Sequence, residues 1–123
     1  MMSKPRGLCL IINNKNFEHP DPQKSLQMLR RGSEHDVENL NVLFQTLEFE
    51  VHIKNDLRKL EMFGELEKFS QKPEHKSANM CIVAVMSHGE DGCITTTDNQ
   101  KVPTSSKFKL VKNAFKIHFS DFL

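Results

Sequence analysis

The sequence is poor in cysteine, in long apolar runs and in charge of one sign, and each shortage excludes a class of protein. Three cysteines among 123 residues are too few and too scattered for a disulfide-stabilised secreted scaffold, and they favour a reducing compartment. The strongly apolar runs at residues 8–12 and 80–86 are far shorter than the ~20 residues that span a bilayer, and the first is too short for a signal peptide. The formal net charge of +1 is too small for a nucleic-acid coat or a disordered polyelectrolyte. We therefore expect a cytoplasmic protein without nucleic-acid or membrane partners.

Glycine is also scarce, and its placement excludes a nucleotide-binding loop. The five glycines, at positions 7, 32, 64, 89 and 92, never approach the spacing that cradles a phosphate. A zinc site is disfavoured on similar grounds, because His75, Cys81, His88 and Cys93 match no ligand spacing. We expect neither a metal nor another cofactor.

The sequence does contain an alternation of apolar and amphipathic segments, which predicts an α/β fold. Continuous apolar runs at residues 7–13 and 80–86 are typical of strands buried on both faces, and the alternation at residues 49–54 predicts a half-buried strand. A helix capped by Ser33 separates the first of these strands from the half-buried strand. A second helix, at residues 57–69 and apolar at every third position, leads to the strand at residues 80–86. This order predicts a mostly parallel sheet with helices on both faces, which is a three-layer α/β sandwich.

Three further segments complete this interpretation. Residues 14–32 are polar and turn-rich, which predicts a long surface loop, and loops of that length in a small domain are usually functional. Residues 93–102 predict a small hairpin or flap. A last helix is predicted at residues 108–119, either covering a sheet face or presenting a partner-binding surface. Its apolar stripe would consist of Phe108, Val111, Phe115 and Phe119.

The candidate functional residues follow the predicted parallel strands, where ligands collect in open α/β sheets. The third core strand leads into Ser87, His88 and Gly89. A histidine there suits general-base work, and the N–H of a following glycine can approach a ligand closely. The loop after the first strand carries Arg30 and Arg31. These positions alone leave open whether His88 is functional or merely caps a strand or meets solvent.

Three motifs together resemble the large subunit of the caspases, the cysteine endopeptidases that cleave after aspartate. They are RGLCLIINN at residues 6–14, RRGS at residues 30–33 leading into DVENL, and CIVAVMSHGEDG at residues 81–92. No single motif would suffice, but their order and spacing match the family from residue 6 to residue 102. The resemblance implies a caspase-like (flavodoxin-like) α/β sandwich, incomplete in this chain.

The resemblance also implies roles for individual residues. His88 matches the catalytic histidine, which partners a cysteine nucleophile, and Gly89 matches the residue whose backbone N–H holds the oxyanion. Arg30 matches the arginine that receives the substrate aspartate, and a guanidinium can clamp a carboxylate through two parallel hydrogen bonds. Arg31 is the competing choice, but the neighbouring Gly32 favours Arg30 in the alignment.

The nucleophile that the family requires is not found among these residues. In caspases a Gln-Ala-Cys segment lies about 50 residues after the histidine, and no such triplet occurs in this sequence. Cys9 and Cys81 lie inside apolar runs, where a thiol behaves as a small hydrophobe. Cys93 would need a sharp fold-back to reach His88. We therefore expect no peptidase activity from the chain alone, and an unpaired sheet edge where the strand bearing the nucleophile would lie.

The organisation expected is a short extension at residues 1–6, an incomplete caspase-like domain at residues 7–114 and a divergent tail at residues 115–123. The leading hypothesis is the large-subunit region of an endopeptidase that cleaves proteins after aspartate in apoptosis or inflammation, associating with a small subunit or another caspase chain. The alternative is a non-catalytic regulator or decoy that binds a complete caspase. An unrelated flavodoxin-like ligand module would explain the element order but not the motifs.

Overall fold

The centre of the fold is the first apolar run of the chain. A computed structural model, which describes residues 6–76, 80–90, 92–103 and 114–121, forms this run into strand β1 (Gly7–Asn13), every residue of which is buried. Strand β1 lies between two parallel neighbours, β2 (Phe49–Asn55) and β3 (Met80–Glu90). Because both faces of β1 are covered, its sequence shows no polar alternation. The prediction of a fully buried first strand is confirmed.

Three shorter partners extend the sheet from β3. The end of β3 pairs antiparallel with β4 (Cys93–Thr95), which pairs antiparallel with β5 (Lys101–Pro103). These two strands confirm the predicted hairpin. Strand β6 (Ala114–Asp121) runs parallel to β3, on the flank of β3 opposite β1. The sheet order is β2-β1-β3-β4-β5, with β6 paired to β3.

Two helices cover the two faces of the sheet. Helix α2 (Ser33–Thr46) packs through Val37 and Phe44 against the cluster that contains the odd-numbered apolar residues of β1. Helix α3 (Lys59–Ser70) packs against the even-numbered ones. Successive strand residues point to opposite faces, so a single strand contributes to two cores. This arrangement confirms the predicted three-layer sandwich. No helix in the described ranges is long and apolar enough to cross a membrane.

The segment predicted as one long loop contains a short helix, α1 (Pro22–Met28). Asp21 caps it by accepting a hydrogen bond from the Gln23 N–H, and proline occupies the first turn. An acidic cap followed by proline is a helix-start signal, which the loop prediction overlooked. The loop prediction is therefore wrong for α1. A 3₁₀ turn (Pro73–Lys76) follows α3.

The predicted cap of α2 is also wrong in detail. Gly32 is the N-cap residue, with a left-handed φ of 78° that suits glycine, and no side chain caps the helix. The Ser33 hydroxyl instead accepts a hydrogen bond from Asn13 Nδ2 at 3.1 Å. Ser33 thus ties the start of α2 to the end of β1.

In α3 the predicted three-residue repeat is wrong at Leu60, whose exposed fraction is 82%. The helix buries Met62, Leu66 and Phe69. Their spacing of four and three residues follows the 3.6-residue turn, whereas a strict spacing of three drifts around the helix. Strand β3 also continues to Glu90, through residues predicted to begin a loop.

The predicted last helix is the largest error. Residues 114–119 belong to strand β6, and residues 108–113 lie outside the described part of the chain. Phe115, Ile117 and Phe119 also alternate with polar residues, which is the period of a strand, and this pattern was outweighed by the helical stripe. Strand β6 therefore covers the flank of β3 opposite β1.

Candidate active site

The candidate residues Arg30 and His88 are brought together near the carboxyl end of β1, and His88 itself lies within β3. The segment from the end of α1 to Arg30 contacts β3 at two points. Its Met28 carbonyl accepts a hydrogen bond from His88, and the Arg30 side chain donates to the carbonyl of Met86 in β3. The chain segment from Met28 to Arg30 therefore brings together the two residues that the family motifs singled out.

His88 is held in one orientation. Its Nε2 lies 2.6 Å from the Met28 carbonyl oxygen, and its exposed fraction is only 9%. Because a carbonyl oxygen can only accept, Nε2 must carry the proton of the neutral imidazole. The Nδ1 atom then has the lone pair that a general base needs.

Phe17 packs against the His88 ring, with 4.8 Å between ring centroids and an interplanar angle of 42°. Phe17 is itself buried, and its carbonyl accepts a hydrogen bond from the Ser25 hydroxyl at 2.6 Å. The next residue, Glu18, donates its N–H to the Thr97 carbonyl. The segment between β1 and α1 is thus fastened to α1 and to the β4–β5 turn, and it limits the rotation of the imidazole.

The two neighbouring arginines differ sharply in environment. Arg31 is exposed, whereas the exposed fraction of Arg30 is 7%. The Arg30 Nη1 atom donates to Asn13 Oδ1 at 2.8 Å and to the carbonyls of Asn14 and Met86, each at 3.1 Å. One end of the guanidinium is therefore anchored to the ends of both central strands.

Gly89 directly follows His88 in β3, and its Cα pairs with that of Ile94 in β4. Ser87, the residue before the histidine, donates its hydroxyl to the Thr95 carbonyl at 2.6 Å. The hairpin therefore braces the backbone on both sides of His88. Strand β6 lies along the flank of β3 opposite β1, and its Asp121 is the Cα partner of His88.

The cysteines divide into two buried thiols and one partly exposed thiol. Burial raises the pKa of the Cys9 thiol to about 12, with a smaller contribution from Cys81. Burial alone raises the pKa of Cys81 to about 11. Both thiols therefore stay protonated at neutral pH, and a protonated thiol is a poor nucleophile. Cys93 lies on β4, opposite Glu90 in the strand pairing.

Three contributors to the site were not identified from the sequence. The Met28 carbonyl leaves no sequence signal, because every residue has a backbone carbonyl. Asn13 was interpreted only as the end of a strand. Phe17 did leave a signal, since it is a lone aromatic residue in a polar segment, and such a residue is often buried against a neighbouring element.

Comparison with known proteins finds a family and relatives that cover most of the chain. A family model described as the caspase domain matches residues 6–118. The chain is 37% identical to caspase-2 of Gallus gallus over 114 residues, which cover 93% of this chain and 26% of that protein. It is 41% identical to caspase-3 of Bos taurus over 92 residues, covering 75% of this chain and 32% of that protein. The chain therefore spans about a quarter to a third of the length of these two relatives.

Proposed function

Because this chain belongs to the caspase-domain family, we propose that it is the large-subunit region of a cysteine endopeptidase that hydrolyses peptide bonds after aspartate. In this proposal His88 is the general base, Gly89 contributes a backbone N–H to the oxyanion site, and Arg30 receives the substrate aspartate. The observation that carries the proposal is the fixed imidazole of His88. Its Nε2–H is bound to the Met28 carbonyl at 2.6 Å, so in the neutral ring Nδ1 is the nitrogen that carries the basic lone pair.

The proposed reaction uses each of these groups at a separate stage. The His88 Nδ1 atom removes the thiol proton, and the resulting thiolate attacks the carbonyl carbon after the aspartate. The carbonyl oxygen gains negative charge, which a donor such as the Gly89 N–H stabilises. The protonated imidazole then gives its proton to the amine as the carbon–nitrogen bond breaks, and water hydrolyses the thioester that remains. The anchored Arg30 side chain supports carboxylate recognition, because a buried guanidinium binds oxyanions in a fixed direction.

We also propose that these 123 residues do not turn over substrate by themselves. No Gln-Ala-Cys triplet occurs in the sequence, and two of the three thiols are buried with raised pKa values. Protein substrates with accessible aspartates and a role in apoptosis or inflammation belong to the same proposal, and family membership supports them. Cytoplasmic action is proposed with them because the three cysteines are few and scattered, which favours a reducing compartment.

The test uses fluorogenic peptides that end in aspartate, asparagine or glutamate before the leaving group. The 123-residue chain is expected to release no fluorophore from any of them. A natural product that continues from this region into a Gln-Ala-Cys segment is expected to cleave only the aspartate peptide, and His88→Ala should abolish that cleavage. His35→Ala is the matched control, because His35 is exposed on α2. Equal cleavage of the aspartate and asparagine peptides, or full activity of His88→Ala, would contradict the proposal.

A regulatory role is the second candidate, and the position of β6 favours it. Among the described strands, β6 pairs only with β3. The other edge of a strand placed in this way carries backbone groups that can pair with another chain. Mixing the chain with an active caspase tests this role by co-purification and by the rate of peptide cleavage. A chain that does not associate and leaves the rate unchanged has no such role.

A further inference from the structure

We propose that Asn13 is a positioning residue, which sets the direction of the Arg30 guanidinium for the recognition of a carboxylate. This inference rests on the proposed function of Arg30 as the receptor for the substrate aspartate. Asn13 is the last residue of β1, and its exposed fraction is 3%.

The Asn13 amide is fixed at both of its ends. Its Oδ1 accepts from Arg30 Nη1 at 2.8 Å, and its Nδ2 donates to the Ser33 hydroxyl oxygen at 3.1 Å. Turning the amide over would place an NH₂ group against the guanidinium, which has no acceptor. The contact with Arg30 therefore determines which end of the amide faces the guanidinium.

This contact is also the shortest of the three that Nη1 makes. The other two, to the Asn14 and Met86 carbonyls, are both 3.1 Å long. The guanidinium is planar, and the three acceptors share the two hydrogens of Nη1, so these contacts also fix the plane in which the other nitrogens lie. A receptor that is ordered before its ligand arrives loses less conformational freedom on binding, so Asn13 raises the affinity for a carboxylate without touching it.

The neighbouring asparagine provides a matched control. Asn14 is fully buried, and its side chain also makes two hydrogen bonds. Its Nδ2 donates to the Ser87 hydroxyl at 3.3 Å, and its Oδ1 accepts from the Leu57 N–H at 3.0 Å. These partners show that the Asn14 side chain braces β3 and the segment that leads into α3 rather than Arg30.

The experiment measures the order of Arg30 and its ligand affinity separately, on the full 123-residue chain by NMR. The Arg30 Nε–H signal, assigned with Arg30→Lys, reports whether the guanidinium is ordered. Titration with N-acetyl-aspartyl methylamide reports carboxylate affinity, and the asparaginyl analogue reports binding that does not need the charge. Asn13→Ala is expected to broaden the Arg30 signal and to weaken aspartyl binding about tenfold, which corresponds to about 1.4 kcal/mol. Asn14→Ala should leave both readouts within twofold of the parent chain.

A second variant separates positioning from charge. Asn13→Asp keeps the acceptor oxygen and the shape of the side chain, so the Arg30 signal should stay sharp. Its added carboxylate pairs with the guanidinium and competes with the ligand, so the affinity should fall at least tenfold. If Asn13→Ala does not fold, the Arg30 signal of Asn13→Asp still tests whether the acceptor oxygen at position 13 orders the guanidinium.

The outcomes distinguish this inference from the proposed function. If the folded Asn13→Ala chain keeps both the sharp Arg30 signal and the parent affinity, the inference is wrong. A broadened Arg30 signal in the folded Asn13→Asp chain, which keeps the acceptor oxygen, would also overturn it. If the parent chain prefers neither probe while the Arg30 signal still depends on Asn13, the positioning contact stands and the role of Arg30 as carboxylate receptor fails.

Discussion

Replacing Arg30 with alanine should destabilise the fold as well as remove the proposed receptor. The substitution deletes the Nη1 donor that serves Asn13 Oδ1 and the carbonyls of Asn14 and Met86. The Met86 carbonyl keeps a second partner, the Asn14 N–H at 2.9 Å. The two remaining acceptors belong to buried residues, and each lost partner costs about 1–3 kcal/mol, so we expect a total loss of about 2–6 kcal/mol.

The assay is urea unfolding followed by far-ultraviolet circular dichroism, since the chain has neither tryptophan nor tyrosine. With a slope of about 1.5 kcal/mol per molar urea, a loss of about 3 kcal/mol moves the unfolding midpoint down by about 2 M. Arg31→Ala is the matched control, because Arg31 is exposed and its loss should stay within about 0.5 kcal/mol. Equal midpoints for the two variants would refute the anchoring role of Arg30.

Three further predictions concern the thiols and the closest strand contact. In the native chain at pH 8, iodoacetamide should alkylate Cys93 alone. When the reaction is repeated in urea, mass spectrometry should find all three thiols modified. Alkylation of Cys9 in the native chain would contradict its burial. Because the folded pKa values of Cys9 and Cys81 are raised to about 12 and about 11, the unfolded chain loses these protons first, so stability should fall as pH rises above about 9, by up to about 1.4 kcal/mol per pH unit for each thiol. Urea midpoints that stay constant from pH 8 to pH 10.5 would refute this. Gly7→Ala should cost about 1–3 kcal/mol in the same urea assay, because its Cβ would collide with the Met80 carbonyl; an unchanged midpoint would show that the strands can separate at little cost.

The predicted elements that proved correct are those whose signal lies in the local sequence. The apolar run of β1 is long and uninterrupted, and the alternation in β2 identifies a strand covered mainly on one face. The spacing of Val37 and Phe44 likewise identifies the packed face of α2. In each case the period of the side chains matches the period of the backbone. Burial follows this period only in part, because Leu43, Leu47 and Ile53 are exposed.

The errors arose where two periods compete or where the deciding partner is distant in sequence. The β6 segment carries both a helical stripe and a two-residue alternation, and it pairs with β3, which lies about 30 residues earlier in the sequence. Serine often caps helices, but the Ser33 hydroxyl accepts a hydrogen bond from the Asn13 side chain, which lies 20 residues earlier in the sequence. The Met28 carbonyl could not be predicted, because only the folded chain brings it to His88. The motifs identify the candidate side chains, whereas their anchoring depends on tertiary contacts.

The central claim is that the neutral His88 ring carries its proton on Nε2 and its lone pair on Nδ1. Long-range proton–nitrogen correlation on the ¹⁵N-labelled chain measures this directly, because protonated and unprotonated ring nitrogens have well-separated shifts. At a pH where the ring is neutral, we expect one His88 species with the proton on Nε2, where the Met28 carbonyl accepts it. A proton on Nδ1, or an averaged mixture of both tautomers, would contradict the account.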